Sequence, residues 1–311
     1  MNDMATSAPL VSVIIPAHNR AHTIVRAVHS VLSQTCRDIE VIVVDDASTD
    51  NTLSVVEAIG DPRVRAVRLE RNQGAAGARN RGIDEATGTY VAFQDSDDEW
   101  LFDNLRLQVD AITSAGPEVG AVYGGRVVYG RDGAGVYGAR HVKFVPGPAD
   151  NTDAANLTTE LMRRNFITPQ ALMARRAILR QIGGFDGLLR CNEDWDLALR
   201  LSAVTRLLYV DQPVVFCHVS DDSISRNRRR DLASRIRILG KLSCDGAVQR
   251  EIQARHLTVT GYHLAKLSKP GSGARLIWRG LGLNRWDWRG WARLAACLAL
   301  RWPPARRLIA P

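Results

Sequence analysis

Two aspartates separated by one residue, Asp95 and Asp97, follow the apolar run Tyr90–Gln94 and form a candidate metal site. Carboxylates two positions apart at a strand end can face the same ligand, and hard divalent cations prefer oxygen ligands. A cation held there would act as a Lewis acid that stabilises negative charge on a departing diphosphate. The alternative is helix capping, because an aspartate at this point can cap a helix that starts near Glu99, with Asp98 as the preferred cap.

A second pair of carboxylates, Asp45 and Asp46, ends the apolar run that begins at Glu40. Charges at the end of a buried strand are costly unless they are paired or exposed, so this pair points to ligand binding. A carboxylate there can accept the imide N–H of uracil or thymine, or bond to ribose hydroxyls. Capping of the following helix is the alternative, but Ser48 or Asp50 could do that without Asp46.

Three other sets of polar residues could contribute chemistry. Arg79 lies in the small-residue segment Gly74–Arg81, where a helix start could approach a phosphate closely, although tight helix–sheet packing explains the segment equally well. The acids of Asn192–Asp196 stand beside Trp195, so one of them could be a general base with a raised pKa, or all could be acids favoured at a helix N-terminus. His218 follows a strand and is a further candidate metal or phosphate contact.

The elements that position these residues alternate between continuous apolar runs and helical periodicity. This alternation predicts an α/β fold with a doubly wound, mostly parallel sheet and helices on both faces, which binds ligands at the carboxyl ends of its strands. The predicted strands are 10–16, 40–45, 64–69 and 90–94, and the helices between them are 23–34, 49–59 and 77–87. We expect irregular loops and short edge strands over 116–159, helical structure over 168–206, and a strand pair broken at Pro213 over 207–218.

Charge divides the chain into two parts. Residues 1–225 carry 22 basic and 29 acidic side chains, whereas residues 226–311 carry 19 basic and 4 acidic ones. We therefore predict a catalytic domain over 1–225 and a basic helical C-terminal extension over 226–311. The acidic part suits a cation-assisted site, and the basic part suits a polyanion such as a membrane surface or a nucleic acid.

Tryptophans and arginines are concentrated in the segment 274–302. Arg285, Arg289 and Arg293 are spaced four residues apart, beside an apolar stripe of Trp288, Trp291, Ala295 and Leu298. A basic helix with an apolar, tryptophan-bearing face suits the interface of an anionic membrane. The alternative is a helix packed on the catalytic domain with solvated arginines.

No signal peptide or membrane-spanning run is recognised, because the apolar stretch 294–300 is too short to cross a bilayer. The five cysteines are scattered and never in CxxC spacing, which indicates reduced thiols. We expect a cytoplasmic protein, peripheral on the inner face of the cell membrane if the basic extension binds lipid.

Taken in order, these motifs resemble the family 2 inverting glycosyltransferases of GT-A fold, over roughly residues 11–225. The segments that carry the resemblance are Val13–Arg20, Val44–Ser48, Asn72–Ile83, Gly88–Asp98, Gly183–Asp186, Asn192–Asp194 and Phe216–His218. His18 departs from the tyrosine often found at its position, and no QxxRW-type element follows Asp194, so single additions are favoured over processive synthesis.

The resemblance implies a metal-dependent transfer, with inversion, of a sugar from a UDP- or dTDP-sugar to a hydroxyl of a cell-surface glycan or lipid-linked acceptor. Asp194 is the implied catalytic base and Asp97 the ligand of Mg²⁺ or Mn²⁺, with His218 as a second metal candidate. The donor site would comprise Pro16, Ala17, Asn19, Asp46, Arg79, Asp95 and Ser96, and the acceptor site Gly184, Phe185, Glu193 and Trp195.

Three other classes of protein compete with this interpretation. A nucleotidyltransferase uses a similar sheet but usually has a Gly-rich, basic loop after its first strand, where this chain has Pro16–Arg20. A non-catalytic module that binds sugar nucleotides or membranes would not need Asp194. A nucleic-acid binder is disfavoured because the carboxylate-rich edge would repel a phosphate backbone, so we expect no nucleic-acid partner.

Overall fold

The computed structural model describes residues 8–129, 143–145, 157–218, 228–242, 246–267 and 269–299. The chain divides into two compact units, one of residues 1–161 and 165–223 and the other of residues 162–164 and 224–311. The division near residue 224 lies two residues from the change in charge at 225/226.

Within the described residues, the first unit is built on one nine-stranded sheet. Its strands are β1 (Val11–Ala17), β2 (Ile39–Asp45), β3 (Val64–Arg68), β4 (Tyr90–Phe93), β5 (Glu99–Trp100), β6 (Val119–Tyr129), β7 (Lys143–Val145), β8 (Leu172–Arg175) and β9 (Arg206–His218). The helices up to residue 218 are α1 (Ile24–Leu32), α2 (Thr52–Glu57), α3 (Gly74–Glu85), α4 (Asn104–Ser114), α5 (Leu157–Arg163), α6 (Arg176–Gln181) and α7 (Glu193–Val204).

The sheet has the order β3-β2-β1-β4-β8-β6-β9-β5, and β7 pairs with β6. Strands β3, β2, β1 and β4 are parallel, β8 is antiparallel to both of its neighbours, and β6 and β9 are parallel. Ala17 is opposite Asp45, and Ile14 is opposite Phe93. The carboxyl ends of β1, β2 and β4 therefore meet at one edge of the sheet, as the sequence predicted.

Helices cover both faces of this sheet, which confirms the predicted fold class. Alternate residues of β1, such as Val13 and Ile15, lie in the same buried cluster as Ile24 and Val28 of α1. The intervening Ile14 points to the other face, where Gly82 of α3 packs so closely that a Cβ atom there would collide with the Ile14 side chain. Burying each such aliphatic side chain contributes about 1.5–3 kcal/mol.

The largest error of the sequence-based prediction concerns β6. The segment 116–159 was expected to contain loops and short edge strands, but β6 is an 11-residue strand inside the sheet. Its glycines occupy positions where neighbouring side chains take the place of a Cβ, namely Val214 beside Gly124 and Phe144 beside Gly125. Glycine therefore indicates close packing here and not a turn. Residues 130–142 and 146–156 of this segment lie outside the described part of the chain.

Three smaller expectations were also wrong. The predicted helical segment 168–206 does contain α6 and α7, but it also contains β8, which pairs with both β4 and β6. The predicted strand pair is one strand, β9, in which Pro213 lies at an irregularity of the pairing opposite Gly125. No helix starts near Glu99, because Glu99 and Trp100 form β5 against β9 and α4 begins only at Asn104.

The described residues of the second unit are helical, in agreement with the predicted C-terminal helices. They form α8 (Arg228–Lys241), α9 (Ala247–Lys266), α10 (Pro270–Leu283) and α11 (Trp288–Ala299). Helices α9 and α10 pack backbone to backbone, since a Cβ at Gly261 would lie 2.6 Å from the Gly273 carbonyl oxygen and one at Gly280 would lie 2.8 Å from that of Ala254. Within the described residues, no helix is long and apolar enough to cross a membrane.

Candidate active site

The loops after β1 and β2 are tied together by Asn19. Its side-chain oxygen accepts a hydrogen bond from the Thr49 backbone N–H at 2.8 Å, and its own backbone N–H donates to the Ser48 hydroxyl at 2.9 Å. Both Asn19 and Ala47 have positive φ, a strained conformation that in non-glycine residues is concentrated at functional sites. Pro16 and Ala17 end β1 directly beside these turns, so these three predicted donor-site residues are neighbours.

Asp46 joins this edge to the start of α3. Its two carboxylate oxygens accept the backbone N–H groups of Gln73 at 2.6 Å and Gly74 at 2.8 Å. The side chain is buried, with 3% exposure. Asp46 therefore caps the helix that carries Arg79, a role that the sequence did not indicate. Its predicted contact with a nucleobase stays a prediction.

Arg79 is the centre of the site. Its guanidinium donates to Asp95 at 2.7 Å and to Glu193 at 2.9 Å, and it lies 5.4 Å above the ring of Phe185. Burial works to lower the pKa of Arg79, but the charges of Asp95 and Glu193 outweigh burial and raise it. Arg79 thus links the loop after β4 to the start of α7. Contact with the donor nucleotide, as predicted, would have to compete with these two carboxylates.

Asp97 lies beside Asp95 and faces two arginines. Its carboxylate is 3.9 Å from the Arg20 guanidinium, and Arg26 donates to its backbone carbonyl at 2.6 Å. Burial and the charge of Asp95 raise the pKa of Asp97 above its usual value. A bound cation would relieve this repulsion, so the charge arrangement fits the predicted metal ligand. Ser96, between the two aspartates, is buried.

Asp98 does not cap a helix, contrary to the sequence-based expectation. Its carboxylate accepts the His218 backbone N–H at 2.9 Å and the Gln170 side-chain amide at 3.2 Å. Burial and the charges of Asp95 and Asp97 raise the pKa of Asp98 to about 7.

His218, the second predicted metal ligand, has its Nε2 2.8 Å from Glu99. That nitrogen is engaged by a carboxylate, which leaves metal binding by His218 as a prediction without geometric support. Among the described residues, no group of three or more His, Cys, Asp or Glu side chains is arranged to hold a metal.

Asp194 stands in the first turn of α7, beside Glu193. One carboxylate oxygen accepts the Asn165 side-chain amide at 2.8 Å, and the other accepts the Trp195 backbone N–H at 2.8 Å. Burial raises the pKa of Asp194 to about 6, and the charge of Glu193 adds to the effect, whereas the two hydrogen bonds oppose it. A carboxylate with this pKa is a competent general base near neutral pH.

The acceptor-site predictions need correction at two positions. Phe185 and Trp195 are each only 2% exposed, so neither ring is accessible to an acceptor in this structure. Phe185 packs edge-on against Phe93 and supports Arg79, and the Trp195 indole donates to the Leu161 carbonyl at 2.6 Å. Gly184, at positive φ, and Glu193 remain candidates.

Sequence reasoning missed residues that hold the predicted ones in place. Asn165 precedes Asp194 by 29 positions and lies in no motif. Asn80 fixes the loop before α7 by donating to the Phe185 carbonyl at 2.8 Å and accepting its N–H at 2.7 Å. Arg20 ends the polar segment Pro16–Arg20 after β1, so its position in that segment could have marked it as a site residue. Asn165 offers no such signal in the sequence.

The parallel half-sheet, with carboxylates from three loops at its edge, is the arrangement of a GT-A glycosyltransferase. A sequence profile described as Glycosyl transferase family 2 matches residues 12–183. The chain belongs to glycosyl transferase family 2, and it is a glycosyltransferase. The nucleotidyltransferase and non-catalytic alternatives are therefore not retained.

Named relatives support this assignment. The chain is 35% identical to the succinoglycan biosynthesis protein ExoO of Rhizobium meliloti (strain 1021), over 83% of this chain and 75% of that protein. It is 44% identical to the UDP-Glc:alpha-D-GlcNAc-diphosphoundecaprenol beta-1,3-glucosyltransferase WfgD of Escherichia coli, over 32% of this chain and 40% of that protein. The latter match therefore covers less than half of either protein.

Solved structures show the same fold. A crystal structure of S. aureus TarS in complex with UDP aligns with a TM-score of 0.69 at 20% identity, covering 96% of this chain and 91% of that chain. Mannosyltransferase PcManGT from Pyrobaculum calidifontis, in complex with GDP-Man and Mn²⁺, aligns with a TM-score of 0.60 at 22% identity, over 97% of this chain and 84% of that chain. At these identities the similarity establishes the fold alone.

Proposed function

We propose that this glycosyltransferase inverts the anomeric centre as it moves a sugar from a UDP- or dTDP-sugar to an acceptor hydroxyl, with the help of a divalent metal. The observation that carries the proposal is a continuous set of charged contacts, in which Asp97 adjoins Asp95, Arg79 bridges Asp95 and Glu193, and Asp194 follows Glu193. These contacts support the proposal that the predicted metal ligand and the predicted base belong to one site.

Asp194 is the base in this proposal. The acceptor oxygen attacks the anomeric carbon, the bond from that carbon to the diphosphate oxygen breaks, and the hydroxyl proton passes to the Asp194 carboxylate. The hydrogen bonds from Asn165 and the Trp195 backbone orient this carboxylate. Direct attack from the face opposite the leaving group inverts the anomeric carbon.

Asp97 is the proposed protein ligand of Mg²⁺ or Mn²⁺, with substrate phosphates and water completing the shell, as these hard cations accept. When bound, the metal supplies Lewis-acid stabilisation of the departing diphosphate. Burial first, and then the charge of Asp95, raise the pKa of Asp97, while Arg20 and Arg26 oppose the shift; a cation would offset both the burial and the repulsion from Asp95. PcManGT, a protein of the same fold, has been solved with Mn²⁺.

We further propose that the acceptor belongs to a cell-surface glycan or a lipid-linked precursor. The name of the relative WfgD specifies a diphosphoundecaprenol acceptor, and that of ExoO specifies succinoglycan biosynthesis. Action on a lipid-linked acceptor agrees with a cytoplasmic enzyme that is peripheral at an anionic membrane surface.

A panel of nucleotide sugars, each with and without Mn²⁺, tests the proposal by thermal stabilisation and then by hydrolysis. We expect stabilisation by a UDP- or dTDP-sugar in the presence of Mn²⁺, and its loss in Asp97→Ala. Asp110→Ala, which removes an exposed carboxylate 3.6 Å from Arg106, is the matched control and should behave as the wild type. Metal-dependent binding that persists in Asp97→Ala would contradict the assignment.

A further inference from the structure

The second unit exposes large aromatic side chains on α10, α11 and the turn between them. Trp278, Trp286 and Trp288 are 62%, 82% and 70% exposed, and Trp291 and Leu298 are 44% and 47% exposed. Trp278 and Trp291 contact each other edge to face at 5.9 Å between ring centroids, so they form one surface. We call these five residues the tryptophan face.

Helix α11 is anchored in the second unit by a different stripe of residues. Gly290, Leu294 and Cys297 are buried, and Leu294 and Cys297 share a cluster with Ile277 and Leu281 of α10. The apolar stripe noted in the sequence, which includes Trp288, Trp291 and Leu298, is therefore not what holds the helix in its unit. An apolar surface that packing within the unit does not require indicates another role.

Positive charge accompanies this face. Residues 269–299 contain six basic side chains and one acidic side chain, Asp287. Arg289 lies 5.3 Å above the Trp288 ring and Arg285 lies 5.3 Å above the Trp286 ring. Arginine beside tryptophan is a combination that tolerates contact with both headgroups and hydrocarbon, because each side chain has an apolar body and a polar end.

An open groove of about 820 Å³ runs along the same surface. Two cations, Lys269 and Arg275, line it together with the apolar side chains of Trp278, Leu294 and Leu298. Lys269 precedes Trp278 by nine residues, which is about 13 Å along a helix. The groove therefore offers positive charge and an extended apolar wall to the same ligand, as an anionic lipid requires.

We propose that the tryptophan face docks on an anionic lipid bilayer, with the groove receiving part of one acyl chain while Lys269 and Arg275 contact the lipid phosphate. The inference deepens the membrane-surface part of the proposed function and rests on that part alone. It does not depend on the sugar-transfer chemistry. The interfacial tryptophans supply the apolar contact, and the surrounding arginines supply the attraction to anionic headgroups.

Flotation of the full chain with lipid vesicles tests this inference. Vesicles of phosphatidylcholine alone are compared with vesicles of phosphatidylcholine mixed with phosphatidylglycerol. The variants are Trp278→Ser combined with Trp288→Ser, and Lys269→Gln combined with Arg275→Gln. Phe102→Ser is the matched control, because Phe102 is a 62% exposed aromatic residue of the first unit.

We expect the wild type and the control to float with the anionic vesicles, and each double variant to bind them tenfold or more weakly. The tryptophan variant loses apolar contact with the bilayer. The charge variant loses two basic residues, each of which is worth about fivefold in affinity near such a surface. Lipids brominated in their acyl chains should quench the tryptophan fluorescence of the wild type more than that of Trp278→Ser/Trp288→Ser. Circular dichroism checks that the variants are folded. If the tryptophan variant does not fold, the charge variant alone tests the inference.

Vesicle binding that is equal in the variants and the control would overturn the inference while leaving a membrane role to another surface. Absence of flotation of the wild type would overturn both the inference and the membrane part of the proposed function. Neither result would affect the donor-binding test, which uses no lipid. Tight binding to an RNA or DNA oligonucleotide, lost in the same variants, would assign the face to a nucleic acid and would also overturn the inference.

Discussion

At the scale of single residues, Asp194 is balanced between burial and hydrogen bonding. Burial and Glu193 raise its pKa, while Asn165 and the Trp195 N–H stabilise its charged form, and the result is a pKa of about 6. This pKa leaves the carboxylate ionised at neutral pH yet basic enough to accept a proton from a hydroxyl.

The rate should therefore fall as the pH falls through about 6 and level off above it, because protonation removes the base. Asp194→Asn should lower kcat by about 10²–10⁴-fold with donor binding retained, as expected for loss of general-base catalysis. Initial rates across the pH range check the pH dependence and the loss of kcat, and thermal shifts with the donor check that Asp194→Asn still binds it. Unchanged kcat in Asp194→Asn would exclude Asp194 as the base.

Asn165→Ala should move the acidic limb of the rate profile to higher pH by about one unit. The variant removes a hydrogen bond to the charged carboxylate, and such a bond is worth about 1.5 kcal/mol or more. Thr113→Ala, an exposed change in the same unit, should leave the profile in place. An acidic limb that stays at the wild-type pH would show that Asn165 does not act on the base.

Arg79 should contribute more to stability than the other arginine of the same helix that forms an ion pair, Arg81. Arg79→Gln removes a buried guanidinium and leaves the partly exposed carboxylates of Asp95 and Glu193 without their partner, which should cost about 1.5–3 kcal/mol, the range for a hydrogen bond to a charged group. Arg81→Gln, on the same helix, breaks only an exposed i,i+4 pair with Glu85 and should cost about 0.5 kcal/mol or less. Denaturant unfolding of both variants measures the difference, and similar losses would contradict the central role of Arg79.

At the scale of elements, helix α3 is placed by close packing and by its cap. Gly82 contacts Ile14 of β1 without room for a Cβ, and Asp46 accepts the first N–H groups of the helix. These two contacts fix the direction in which Arg79 projects. Gly82 directly follows the small-residue segment Gly74–Arg81, and the two alternatives that the sequence left open for that segment both stay open.

Gly82→Ala should destabilise the first unit by about 1–3 kcal/mol, because the added methyl group collides with Ile14. Combining it with Ile14→Ala removes the obstacle, so the double variant should be more stable than the sum of the two single changes predicts. Thermal unfolding of the three variants tests this coupling. If the effects of the two single changes simply add in the double variant, the collision with Ile14 is not the cause of the destabilisation by Gly82→Ala.

At the scale of the whole molecule, charge is separated along the chain. Residues 1–225 carry 29 acidic side chains, among them Asp95 and Asp97 beside the proposed metal, and residues 226–311 carry 19 basic side chains. If the basic part binds an anionic bilayer, its affinity for anionic vesicles should fall steeply as ionic strength rises. Flotation across a salt series measures this, and binding that is insensitive to salt would indicate attachment by apolar contact alone.

The amino-acid sequence by itself determined the βα alternation, the gathering of three polar loops at one edge, the family, and the candidates Asp97 and Asp194. These follow from local patterns, since continuous apolar runs form buried strands and short motifs mark strand ends. The second half of the sheet was not predicted from the sequence. Strand β6 is glycine-rich, and the reason for its glycines is visible only in the structure, where Val214 and Phe144 pack against them.

Only the tertiary structure decided which polar side chains are partners. Arg79 was assigned to a phosphate on its chemistry, yet its nearest partners are Asp95, 16 positions away, and Glu193, 114 positions away. Phe185 and Trp195 were assigned to an acceptor, yet packing buries both rings. Which stripe of α11 is buried was likewise settled by its neighbours, since both faces of that helix carry apolar side chains and sequence periodicity does not report what covers them.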